Sequence, residues 1–90
     1  PDMPPEFAIP ITLTWTGPAE QAAGVITNQI GWSFQVIGNR PQTPIIVAFD
    51  AKGIAAVDVL RDIGLQITKS SAALVLDGAS RSVEFRYQGR

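Results

Sequence analysis

The sequence predicts a compact α+β domain of two amphipathic helices and a set of short strands. Three observations predict it. Stretches such as Ile9–Trp15 and Val83–Gln88 alternate apolar and polar residues, the two-residue period of a half-buried strand. Two longer stretches carry apolar residues on one helical arc. Glycine and proline punctuate the joins between them.

The elements follow in order. Residues 1–8, PDMPPEFA, are proline-rich and turn-like, and are expected to end a linker; residues 9–90 then form a single domain. The chain is expected to be an excised piece, with any leader or lipid anchor outside it. In IPITLTW, Ile9, Ile11, Leu13 and Trp15 take one face and Thr12 and Thr14 the other, with Pro10 at the strand start or on an edge. Pro18 suits the first position of a helix, since the N–H it lacks would be unpaired there. Glu20 in its first turn complements the helix dipole. Ala19, Ala22, Ala23, Ile26 and Ile30 make the apolar stripe, Gln21, Gly24 and Asn28 face away, and Gly31 ends the helix.

Trp32, Phe34 and Val36 share one face of a second strand. A connector with two prolines, GNRPQTP, is expected to hold this strand in register with a third, PIIVAFD. That third strand is apolar on both faces and is expected to be central or covered twice. The second helix places Ala56, Val59, Leu60 and Ile63 on one arc, with Val57 at its margin and Asp58, Arg61 and Asp62 opposite. Gly64 is the expected stop and Leu65–Ile67 a short strand. AALVLDGASRSVEFRYQ then reads as a hairpin turning at Asp77-Gly78, with Val83, Phe85 and Tyr87 on one face. The predicted order is β-α-β-β-α-β-β-β.

Composition narrows function. The 90 residues hold 7 basic and 8 acidic groups, a net charge of −1 with no run of one sign, so no basic footprint for nucleic acid or anionic lipid is present. Cysteine and histidine are both absent. Their absence removes disulfides, thiolate nucleophiles, the commonest metal ligand and the commonest neutral-pH base. No apolar run approaches the roughly 20 residues of a membrane-spanning helix.

The remaining candidates for chemistry are each outweighed by a plainer role. Asp58 and Asp62 are helical neighbours, but they share their face with Arg61 and read as a solvated surface; Asp50 and Glu84 complete the list of carboxylates weighed for acid–base work. GNRPQTP is no phosphate cradle: it leads into a strand, and its prolines remove backbone donors. Lys69 beside Ser70 and Ser71 reads as a polar turn. Trp15, Trp32, Phe34, Phe49, Phe85 and Tyr87 read as core rather than as a base-stacking platform, with Tyr87 the most exposed. No catalytic, metal or cofactor site is expected. What remains is a contact surface, made by Arg40 with its five donors, Pro41, Gln42 and Tyr87, or by backbone pairing at an open strand edge.

Three motifs carry a resemblance: W-x-G-P at Trp15–Pro18, F-x-V-I-G-x-R-P at Phe34–Pro41 followed by Pro44-Ile45-Ile46-Val47, and D-V-L-R-D-I-G-L-Q at Asp58–Gln66. Together they span Leu13 to Gln66, and this stretch resembles the periplasmic domain of the DotD/TraH lipoproteins of type IVB (Dot/Icm and conjugation) secretion systems. Leu60–Leu65 is also similar to the L-x-x-I-G-L helix end in the short N-terminal domains of secretins and TonB-dependent transducers. The resemblance implies two helices between two small sheets, antiparallel or mixed. It also implies a non-catalytic, lipid-anchored periplasmic component of an outer-membrane core complex. Its partners would be other core-complex proteins, including outer-membrane or secretin-like subunits, with no nucleic acid. The alternative it leaves open is an N-terminal interaction or signalling domain of a secretin or TonB-dependent receptor.

Overall fold

A computed structural model describes residues 5–88. Its strands are β1 (Pro10–Pro18), β2 (Ser33–Ile37), β3 (Ile46–Ala55), β4 (Ala72–Asp77) and β5 (Ser82–Tyr87). The helices are α1 (Ala19–Gln29) and α2 (Ala56–Ile67). β1 and β3 form a two-stranded antiparallel sheet. The second sheet has the order β2-β5-β4, with β2 parallel and β4 antiparallel to the central β5. Both helices pack between the two sheets, the α+β arrangement expected.

The helical stripes are where the periodicity puts them. Ala19, Ala22, Ala23, Ile26 and Ile30 are all buried, as are Ala56, Val57, Val59, Leu60 and Ile63. Thr27 is the one buried polar residue among those described; it returns its hydroxyl to the Ala23 carbonyl at 2.7 Å, so its own hydroxyl is paired. α1 ends as expected at Gly31, whose φ of 76° turns the chain while Trp32 N–H reaches back to the Thr27 carbonyl. Of the stretch read as a linker end, residues 1–4 lie outside the described residues. Residues 5–8 form a 3-10 turn whose buried Phe7 stacks on Trp32 with ring centroids 4.7 Å apart.

Three expectations need correction. Gly64 does not stop α2, and Leu65–Ile67 is not a strand, so there are five described strands rather than six. A helical glycine costs only about 1 kcal/mol relative to alanine. Against that cost, Ile63 and Ile67, one turn apart, are both fully buried, and Leu65 is exposed as a helix's outer face requires. The chain turns instead at Ser71, which adopts φ 58° after a short 3-10 extension. β3 is neither central nor covered twice. Its inner residues, Val47 and Ala51, are buried, whereas Ile46 on the other face is 56% exposed. The connector after β2 does not pair its flanking strands; it carries the chain from one sheet to the other. The final hairpin turns where Asp77-Gly78 marks it. It uses residues 78–81, with Asp77 Oδ1 accepting the N–H groups of Ala79 and Ser80 and Arg81 at φ 53°.

Candidate partner-contact face

The crossover between the sheets, residues 38–45, is held at both ends. At its start Gly38 takes φ 91° and lies against the Tyr87 backbone at the end of β5; a side chain there would collide with the Tyr87 carbonyl oxygen. At its far end the Ile45 carbonyl accepts the N–H of Ala19, the first residue of α1, at 2.7 Å. Pro41 and Pro44 fix φ between these anchors. The loop therefore lies over the start of α1 and the end of β5.

That placement brings two residues distant in sequence onto one carboxylate, that of Glu20. Arg40 donates from Nε to Glu20 Oε1 (2.9 Å) and Oε2 (3.2 Å), and from Nη2 to Oε2 (2.9 Å). The Tyr87 hydroxyl donates to Glu20 Oε1 at 2.7 Å. Two-pronged arginine–carboxylate contact fixes the plane of the guanidinium as well as its distance. Arg40 is thus a pinned group that keeps outward-facing donors, with its side chain still 62% exposed. The hydrogen bonds from Arg40 hold the Glu20 carboxyl below the usual carboxylate range, against the opposing effect of burial and with help from Tyr87. Burial first, then the bond to Glu20, pushes the Tyr87 hydroxyl up to about 12.

Arg40, Pro41, Gln42 and Tyr87, proposed from sequence as contact residues, all line one open cleft of about 280 Å³ with Glu20 and Pro18. Sequence reasoning missed Glu20 as its centre. The residue carries a sufficient local explanation at the start of a helix, and nothing in the chain links it to positions 20 and 67 residues away.

Of the other candidates, three carboxylates come together at one depression and the rest lie apart. Asp50, Asp58 and Asp62 border a shallow depression floored by Phe49 and Ile54, while Glu84 lies in the other sheet, paired with Arg86 at 2.8 Å. Asp50 accepts the Thr14 hydroxyl, and Asp62 accepts the Gln66 amide. Lys69, Ser70 and Ser71 are an exposed turn. Trp32 and Phe85 are buried, and Trp15, Phe34, Phe49 and Tyr87 pack partly buried against the core, which leaves no aromatic platform on the surface. Among the described residues no group of three acidic, histidine or cysteine side chains could hold a metal ion.

The fold is thus a two-sheet, two-helix scaffold whose crossover loop is pinned to the start of α1. The DotD protein family matches residues 1–87, and the chain belongs to it. No curated protein matches the chain. Membership makes the chain a component of a type IV secretion system, in a family associated with the cell envelope. Among the described residues no helix is long and apolar enough to cross a membrane.

Proposed function

We propose that this chain is a non-catalytic building block of the outer-membrane core complex of a type IVB secretion or conjugation system, and that it joins its neighbours through the Arg40–Pro41–Gln42–Tyr87 face. In this reading the full-length protein is periplasmic, held at the outer membrane by a lipid attached beyond these 90 residues. Its partners are other core-complex subunits, of outer-membrane or secretin-like type, and its fold is kin to the short N-terminal domains of secretins. The observation that carries the proposal is the convergence of Arg40 and Tyr87 on Glu20. A loop immobilised before binding loses little conformational freedom when a partner closes on it, so more of the contact energy is realised as affinity. The prolines serve the same end.

The test is a photo-crosslinking amino acid at Gln42, with Lys52 as an exposed control, in cells that assemble the complex. The proposal expects a covalent adduct with another core-complex subunit from position 42 only. Adducts from Lys52 with none from Gln42 would place the contact elsewhere.

A further inference from the structure

The four outer strand edges of this fold are not equally protected. β1 is bracketed by Pro10 and Pro18. β3 is clasped at its middle: the Gln66 side-chain amide accepts from Ala48 N–H at 3.1 Å and donates to the Ala48 carbonyl at 2.8 Å, filling the place of a neighbouring strand. β2 is the shortest, at five residues. β4 shares with β2 the lack of a proline, but it is longer, at six residues, and borders a groove. Its sequence Ala72-Ala73-Leu74-Val75-Leu76-Asp77 carries a single charge, at its last residue, and no side chain clasps its edge. Natural sheets blunt such edges unless the edge is used.

The backbone groups on that edge follow from the register. Gln88 N–H donates to the Ser71 carbonyl at 2.8 Å, and Ala73 lies opposite Arg86. In an antiparallel pair this phase turns the odd-numbered residues of β4 toward β5 and points the N–H and C=O of Ala72, Leu74 and Leu76 away from it. Beside these groups runs a groove of about 450 Å³ whose other wall is α2, through Leu60, Arg61, Gly64 and Thr68. Gly64 gives the groove its depth, since even a β-carbon there would stand only 3.8 Å from Leu74. Arg61 is the sole ionisable residue lining the groove; it is 62% exposed, and its one ion pair, to Asp58, is long at 4.0 Å.

We infer that the groove between α2 and the β4 edge takes an extended acidic segment of another protein as an added strand. Its backbone pairs with Ala72, Leu74 and Leu76, its alternate apolar side chains enter the groove, and a carboxylate meets Arg61. A second copy of this chain fits less well. Pairing two β4 edges about a two-fold axis joins strands of only six residues, well short of a standard stable interface. The site is separate from the cleft around Glu20, so the two readings fail independently.

The experiment is selection of a randomised ten-residue display library on the full chain, followed by amide NMR with the selected peptides. Selected peptides are expected to alternate apolar residues and to carry an acidic one. They should shift and protect the amides of Ala72, Leu74 and Leu76. Methylating alternate peptide nitrogens should abolish binding in one phase and spare it in the other. Arg61→Glu should weaken binding about fivefold, as loss of an exposed ion pair does, and changing the peptide acid to lysine should restore it. Failure to enrich any peptide, shifts confined to the Glu20 cleft, indifference to Arg61→Glu, or dimerisation of the free chain through β4 would each overturn the inference.

Discussion

Replacing Gly38 by alanine tests how the crossover is anchored, and its cost can be worked from two parts. Gly38 sits at φ 91°, a conformation that costs an ordinary residue about 1–2 kcal/mol. The second part is steric. An added methyl group collides with the Tyr87 carbonyl oxygen and stands 3.3 Å from its carbonyl carbon and 3.4 Å from its β-carbon. These are backbone and near-backbone atoms at the end of β5, which cannot swing aside as a long side chain would. Displacing them raises the total to about 3 kcal/mol, or roughly 12–24 °C in melting temperature at about 4–8 °C per kcal/mol. Gly31 supplies the control. It has a positive φ of 76° but nothing within 4 Å of an added β-carbon, so Gly31→Ala bears the conformational cost alone, about 1–2 kcal/mol or roughly 4–16 °C. Thermal unfolding followed by circular dichroism measures both. Equal losses from the two substitutions would refute the claim that the loop is seated against Tyr87.

Other outcomes follow from the same structure. Tyr87 is the sole tyrosine, so ultraviolet titration reads it alone; the folded chain should ionise near pH 12 and the denatured chain near 10. A folded-state pKa above the unfolded one means that this contribution to stability is complete below about pH 10 and is lost as pH climbs toward 12. Tyr87→Phe should abolish that loss in pH-dependent unfolding. Gln66→Ala frees the Ala48 backbone on β3; it should cost about 1 kcal/mol and increase concentration-dependent association in sedimentation experiments. Ile67→Ala should cost about 2–4 kcal/mol, whereas Leu65→Ala should stay within about 0.5 kcal/mol in denaturant unfolding. Similar losses from the two would contradict the helical course of this segment.

The helices were legible because burial on one face leaves a period that composition cannot hide: every residue of the Ala19–Ile30 stripe is buried. What misled was information that only the assembled fold holds. Gly64 looks like a terminator in isolation, but burial of Ile67 outweighs its small intrinsic cost and the helix runs on. Ile46 makes β3 look doubly covered, yet its exposure reflects a two-stranded sheet with helices on one face only. The crossover is invisible to local pattern, since GNRPQTP suits a turn within one sheet as well as a bridge between two. The cleft around Glu20 was half legible. Arg40, Pro41 and Gln42 stand out in a stiff connector, and Tyr87 as an aromatic near the chain end, expected to be exposed but packed half-buried against the core. Glu20 does not, because its importance comes from two partners that the topology, not the sequence, delivers.

The most direct measurement uses the absence of cysteine from these 90 residues. A single thiol introduced by Gln42→Cys, and separately by Lys52→Cys, can be labelled with a polar maleimide in the isolated chain and in the assembled secretion complex. The Gln42 position should react freely alone and be shielded in the complex, while the Lys52 position stays reactive in both. Equal labelling of Gln42→Cys in the two states would show that the pinned loop faces solvent in the assembly and is not its contact surface.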